Sequence, residues 1–144
     1  MKLSEICSRE VQVIEPEKPL IEAARCMLER QIGALVVVQR SEAGARPIGI
    51  VTDRDIVCGQ YLRKADIHML IVSDVMTSEP GVLYEDSGVA EAIETLRTWG
   101  VRRAPVVNDA GELRGIVTLD DLLPAVATEL NNLSTLIGTQ TRRH

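Results

Sequence analysis

The two halves of this 144-residue chain carry one pattern, and that repetition constrains the fold more than any other feature. Leu3-Ser4-Glu5-Ile6 returns as Val72-Ser73-Asp74-Val75, Ala23 as Ala92, and Leu35-Val36-Val37-Val38 as Ala104-Pro105-Val106-Val107, each 69 residues on. Gly49-Ile50-Val51-Thr52-Asp53-Arg54-Asp55 returns as Gly115-Ile116-Val117-Thr118-Leu119-Asp120-Asp121, 66 residues on. The change of spacing falls in one polar stretch, 39–47 against 108–114. A repeat of this kind predicts paired units around shared apolar surface, with surface features that also occur in pairs.

Composition narrows the class. A chain of this length makes one domain or two half-sized units sharing a core. Hydrophobic residues make up 45% and aromatics only 2%, with no Phe, so the core must be aliphatic. A net charge of −5 argues against a general nucleic-acid binder, because phosphate backbones need a basic face. No run approaches the ~18 apolar residues of a membrane span, and the N-terminus carries no apolar signal region. The expectation is a cytoplasmic protein without nucleic-acid or membrane partners. Cys7, Cys26 and Cys58 are scattered, odd in number and form no CxxC, so they read as small buried or half-buried thiols rather than as a disulfide framework or zinc site. The repeat counterpart of Cys7 is Met76, another apolar sulfur residue.

The same elements are expected twice. Residues 11–14 and 81–83 read as short extended pieces. Leu20, Ala23, Ala24, Met27 and Leu28 share one helical face, as do Val89, Ala92, Ile93 and Leu96. Pro19 suits a first helical turn, and Gly100 stops the second helix. Strands follow at 35–38 and 47–51, and at 106–107 and 113–117. Asn108-Asp109-Ala110-Gly111 makes the second hairpin turn, and 41–46 the longer first loop. Each hairpin runs into a helix starting near Asp53 or Leu119. The unit is β-α-β-β-α, over residues 3–62 and 72–133. Part of the linker, 60–71, should pack. The tail, 134–144, ends in a polar stretch, 139–144, that should fray.

Leu119, Leu122, Leu123, Val126, Ala127, Leu130 and Leu133 form a helical stripe that Ile137 extends. One repeat does not need all of it for its own core, so a homodimer with these helices near the two-fold axis is expected.

Gly-Ile-Val-Thr-x-x-Asp carries the chemistry. A buried strand ends in Thr and a helix begins at once. The first turn offers N–H groups and the positive end of the helix dipole to a phosphate. The Thr hydroxyl adds a donor, and the Asp carboxylate matches the paired 2′ and 3′ hydroxyls of a ribose. The same Thr-x-x-Asp also fits a capping box, with Thr as N-cap and the acid at N3. Arg102-Arg103 precedes one buried strand where the first half has Gly33 and Ala34. This predicts unequal sites, the more positive one favouring polyphosphates. The Gly before each strand allows close approach by a ligand or another strand.

The chain resembles a tandem pair of CBS domains, the cystathionine-β-synthase-type Bateman module. The matching pieces are Val72-Ser73-Asp74-Val75-Met76-Thr77, Gly100-Val101-Arg102-Arg103-Ala104-Pro105-Val106-Val107 and both Gly-Ile-Val-Thr-x-x-Asp segments. The resemblance covers about residues 3–130. It implies an α+β fold of two repeats related by a pseudo-two-fold, their sheets packed against flanking helices. It also implies regulatory binding of an adenosyl ligand in two clefts: AMP, ADP or ATP, with or without Mg²⁺, or S-adenosylmethionine, NAD or a cyclic dinucleotide. By the same resemblance Asp55 and Asp121 would hold ribose, Thr52 and Thr118 would lie near ribose or phosphate, and Arg102 and Arg103 would reach phosphate. Gly33 and Ala34 depart from that basic pattern. Family pairs usually dimerise through their helices.

The expected product is a free-standing sensor module that acts on a downstream protein, not an enzyme. His68 in the linker and His144 at the terminus belong to no nucleophile–base set, and no metal site is indicated. Trp99 reads as partly exposed packing beside Gly100, with stacking against a base or a partner as the alternative. An alternative of another class is a structural interaction module whose clefts are vestigial.

Overall fold

Each repeat opens with a one-turn helix that packs into the other repeat's core. The computed structural model describes the backbone of residues 1–143 and the side chains of residues 1–138. The opening helices are α1 (Leu3–Ile6) and, after a linker, α4 (Val72–Val75). Leu3 is fully buried among Leu83, Val89, Ala92, Leu96, Val106 and Val117 of the second repeat. Val72 is fully buried with Leu20, Ala23, Leu35 and Val51 of the first. The exchange continues in the backbone, where Ser8 bridges to Ile116 and Thr77 pairs with Ile50. The sequence blocks 3–62 and 72–133 therefore each lend their first turn to the other's core.

The remaining elements of the first repeat are β1 (Val13–Ile14), α2 (Leu20–Arg30), β2 (Ala34–Ser41), β3 (Gly44–Thr52) and α3 (Asp53–Arg63). The second adds β4 (Thr77–Ser78), β5 (Leu83–Tyr84), α5 (Val89–Trp99), β6 (Arg103–Val107), β7 (Leu113–Thr118) and α6 (Leu119–Arg143). Two sheets form, in the orders β1-β2-β3-β4 and β5-β6-β7. The short first strands run parallel to β2 and β6, and each hairpin is antiparallel. Leu20, Ala23 and Met27 bury one face of α2, and Val89, Ala92 and Leu96 the same face of α5. This is the α+β architecture of paired repeats that the sequence pattern predicts.

Gly49 and Gly115 permit the crossing of segments. A Cβ on Gly49 would stand 2.9 Å from the Thr77 carbonyl oxygen, and one on Gly115 would stand 2.4 Å from that of Ser8. Both separations are shorter than a side chain tolerates, so the close approach is made by the chain's own exchanged segments and not by a ligand.

Several local expectations shift. Pro19 is the N-cap of α2, one residue before its first turn. The loop expected at 41–46 is largely strand, because Ser41 pairs with Gly44 and only two residues turn. Each hairpin has a register irregularity at the same repeat position, between Val37 and Val38 and between Val106 and Val107. Cys7 and Cys26 are half-buried, but Cys58 is exposed on the outer side of α3. In the linker Leu70 is buried and Ala65 and Ile67 are half-buried, while His68 is exposed. Helix α6 continues through 134–143, and the fraying expected of 139–144 falls on side chains outside the described residues, as does His144. Among the described residues no helix is long and apolar enough to cross a membrane.

Candidate functional site

The two Thr–Asp junctions both fold as caps. At α3 the Asp55 N–H donates to Thr52 Oγ1 at 3.1 Å, and the Thr52 N–H donates to Asp55 Oδ2 at 2.9 Å. At α6 the Thr118 N–H and hydroxyl both donate to Asp121 Oδ2, at 2.9 and 3.2 Å. Each Asp thus satisfies the strand-to-helix turn with one oxygen, and Oδ1 accepts no hydrogen bond among the described residues. The capping role and an outward-facing acceptor coexist on one carboxylate.

The helix N–H groups expected to meet phosphate are already engaged at α3. The Asp53 N–H donates to the Gly33 carbonyl at 3.0 Å, and the Arg54 N–H to Asp53 Oδ1 at 2.8 Å. At α6 the Leu119 N–H donates to the Arg102 carbonyl at 3.0 Å. The neighbouring hairpin strand supplies these carbonyls because it runs beside the junction. At α3 an anionic ligand must therefore find its counter-charge on side chains.

Two clefts are lined by both repeats. The Asp121 cleft, of about 230 Å³, is lined by Ser8, Glu10, Ala34, Arg103, Thr118 and Asp121 among others. The Trp99 cleft, of about 400 Å³, is lined by Ile50, Thr77, Glu79, Gly81, Trp99 and Arg103 among others. Thr118, Asp121, Ala34 and Arg103 are thus brought together. Thr52 and Asp55 do not border the Trp99 cleft. Gly33 lies against the Asp53 carboxylate, where a Cβ would stand 3.2 Å from Oδ2.

Arg102 and Arg103 part company. Successive residues entering a strand face opposite sides. Arg102 borders an apolar groove between α5 and α6, away from the clefts. Among the described residues Arg103 is the sole cation lining either cleft, and it borders both. The expected contrast between a more positive and a less positive cleft is replaced by a shared guanidinium. The difference lies in the acids: Glu10 and Asp121 on one side, Glu79 alone on the other.

Sequence reasoning missed Ser8 and Thr77, and Glu10 and Glu79, whereas the cleft position of Trp99 accords with the stacking alternative. The signal for the first four was available, since each pair stands 69 residues apart and keeps its chemistry. Glu79 adopts a left-handed φ of 51°, a strained conformation for a side-chain-bearing residue. Trp99 is 42% exposed, and a Cβ on Gly81 would stand 2.4 Å from its ring. Only a glycine lets the indole lie on that backbone. Behind the Asp121 cleft, burial pushes the Cys7 thiol above its usual pKa; nearby Arg9 opposes this and Asp121 reinforces it. Among the described residues no group of three or more His, Cys, Asp or Glu side chains is placed to hold a metal.

Paired repeats with exchanged segments and a cleft on each side define a tandem-repeat module. The CBS domain model matches residues 3–58 and 72–128, so the chain belongs to the CBS-domain family. An uncharacterized protein of Methanopyrus kandleri is 34% identical over 123 residues, covering 85% of this chain and 61% of the relative. The solved CBSX2 structure in complex with AMP aligns with a TM-score of 0.74 at 23% identity, covering 88% of this chain and 96% of that one. The CBS domain pair of MJ0100, in complex with 5′-methylthioadenosine and S-adenosyl-L-methionine, aligns with a TM-score of 0.74 at 24% identity, covering 90% and 98%. These two likenesses establish the fold.

Proposed function

We propose that this chain is a regulatory module that binds an adenosyl ligand, AMP foremost, and acts without catalysing a reaction. The observation that carries the reading is the Asp121 cleft, where a carboxylate whose Oδ1 has no partner among the described residues, a threonine hydroxyl and one guanidinium converge between the repeats. The carboxylate suits vicinal ribose hydroxyls and the guanidinium a phosphate. The ligands of the two solved CBS pairs are of the same class. A single cation facing Glu10 and Asp121 is poorly matched to ATP, with or without Mg²⁺, and ADP falls between. AMP or a less anionic adenosyl compound such as S-adenosylmethionine fits better.

Asp121 lies on the first turn of α6, so ligand contact reaches the helix that carries the exposed apolar stripe. The module works in the cytoplasm as a homodimer whose helix packing or assembly reports the ligand to a downstream protein. A second reading, an interaction module with vestigial clefts, is favoured by one fact: both Asp residues already serve as caps. Thermal unfolding with and without each nucleotide separates the two. A ligand that binds only the folded state raises Tm, by an amount equivalent to about 2.7 kcal/mol at a hundredfold excess over Kd. No shift with any adenosyl compound at millimolar concentration leaves only the interaction reading.

A further inference from the structure

Among the described residues Arg103 is the only lysine or arginine that is not exposed. Its guanidinium makes no hydrogen bond or ion pair among them, whereas Arg40 pairs with Glu15 at 2.8 Å and Arg97 with Glu94 at 2.6 Å. A half-buried cation without a counter-charge is unfavourable, because burial strips water from it and returns nothing. The carboxylates that line its clefts do not close on it. Glu10 and Asp121 stand in one cleft and Glu79 in the other, and Asp121 is held by the Thr118 turn.

The repeat explains why there is one such group and not two. Position 103 answers position 34, 69 residues earlier, and the ladders agree: Ala34 stands opposite Thr52, and Arg103 opposite Thr118. Strands β3 and β7 touch where the repeats meet, so a long side chain at this position reaches from one cleft to the other. Ala34, with a single methyl, borders only the Asp121 cleft, whereas Arg103 borders both. A phosphomonoester carries about −1.5 to −2 charge at pH 7, more than one guanidinium offsets. The planar fork grips one phosphate bidentately in one orientation. A second phosphate would meet a guanidinium already engaged, and a field that Glu10, Asp121 and Glu79 make negative.

We propose that Arg103 is a single phosphate anchor shared by the two clefts, so that the module holds a phosphorylated adenosyl ligand in either cleft but not in both with full affinity. This rests on the adenosyl-ligand reading above and adds a rule of occupancy to it. Either cleft, taken alone, gains from the phosphate. Once a nucleotide fills one, the other takes an unphosphorylated adenosyl compound at no disadvantage. One phosphorylated and one unphosphorylated ligand is then the favoured saturated state. The coupling is reciprocal, since each phosphate disfavours the other by the same factor. A module built this way responds to the composition of the adenosyl pool and not only to the amount of one member.

The experiment uses the full chain, with AMP and adenosine as the probes in isothermal titration. Adenosine is expected to fill both clefts. The first AMP should bind roughly 10- to 100-fold tighter than the first adenosine, and the second AMP no tighter than the second adenosine. Two forms with one cleft disabled separate sharing from preference. Asp121→Ala disables one cleft, and Gly81→Ala, which drives the Trp99 ring off its seat, disables the other. In each form the remaining step should favour AMP over adenosine by that same factor. Asp121→Asn, which keeps an acceptor for the Thr118 cap, replaces the alanine variant if loss of the cap unfolds the chain. Preference for AMP in only one of the two forms would assign Arg103 to a single cleft and overturn the sharing. An AMP advantage in both steps of the unmodified chain, as a guanidinium bridging two phosphates would give, overturns it too. A single adenosine step sinks the proposal and leaves the adenosyl reading standing. Binding of neither probe removes both.

Discussion

Arg103 stands opposite Thr118 in the β6–β7 ladder and borders both clefts. Among the described residues its guanidinium is the one cationic side chain that lines either. Charge-assisted hydrogen bonds are worth about 1.5–3 kcal/mol. Arg103→Ala should therefore weaken AMP by roughly 10- to 100-fold and adenosine only slightly, in both clefts. Arg102→Ala should leave both ligands within about twofold. Isothermal titration tests this, and equal losses for AMP and adenosine would make Arg103 structural.

The two capping carboxylates should separate stability from binding. Asp55 caps α3 but does not border the clefts, whereas Asp121 caps α6 and lines one. Asp55→Ala should lose about 0.5–2 kcal/mol of stability, the usual worth of a cap, with ligand affinity retained. Asp121→Ala should lose a similar amount of stability and most of the affinity. Urea unfolding and titration on the same samples give both numbers. Loss of affinity in Asp55→Ala would return ribose recognition to the first repeat.

Much of this architecture could be read from the sequence because periodicity speaks directly of faces. Ala23 and Ala92 are buried where the 3.6-residue pattern placed them. The exchange of α1 and α4 could not be read. Leu3 announces burial but not in which core, and two aliphatic cores of similar composition accept it equally. At the site, Thr118 and Asp121 were legible as chemistry. The division between Arg102 and Arg103 was not, because it depends on which face of β6 each residue takes, and that is set by pairing with β7. For Trp99 the sequence left packing and stacking both open, because the Gly81 backbone beneath the indole is eighteen residues away.

The exchange makes a counterintuitive stability map. Leu3 is fully buried in the second repeat's core, 80 to 120 residues away in sequence. Leu3→Ala should cost about 2–5 kcal/mol. Amide exchange should rise in β5, α5 and β7 ahead of α2 and β2. Faster exchange confined to the first repeat would contradict the crossing.

Cysteine chemistry reports the same region by pH. Burial raises the Cys7 pKa, while Cys58 is exposed. A raised thiol pKa means that the folded state holds its proton longer than the unfolded chain. The stabilising contribution is complete below the unfolded pKa and is lost as pH climbs through the folded one. Alkylation at pH 8 should label Cys58 first and Cys7 last, since the thiolate is the reactive form. Peptide mapping of a time course decides it, and early labelling of Cys7 would mean that α1 is undocked.

Trp99 is the chain's only tryptophan and lines only one of the two clefts. Its fluorescence is therefore a cleft-specific reporter. A ligand seated between Trp99 and Arg103 should quench or shift the emission, and one confined to the Asp121 cleft should not. Gly81→Ala sharpens the test, because the added methyl would stand 2.4 Å from the indole and must displace it. That variant should show red-shifted emission as the ring moves into water and a lost optical response to AMP. Calorimetric binding at the Asp121 cleft should persist. If Gly81→Ala abolishes all binding, the two clefts are not independent sites; if emission is unchanged, the indole does not rest on Gly81.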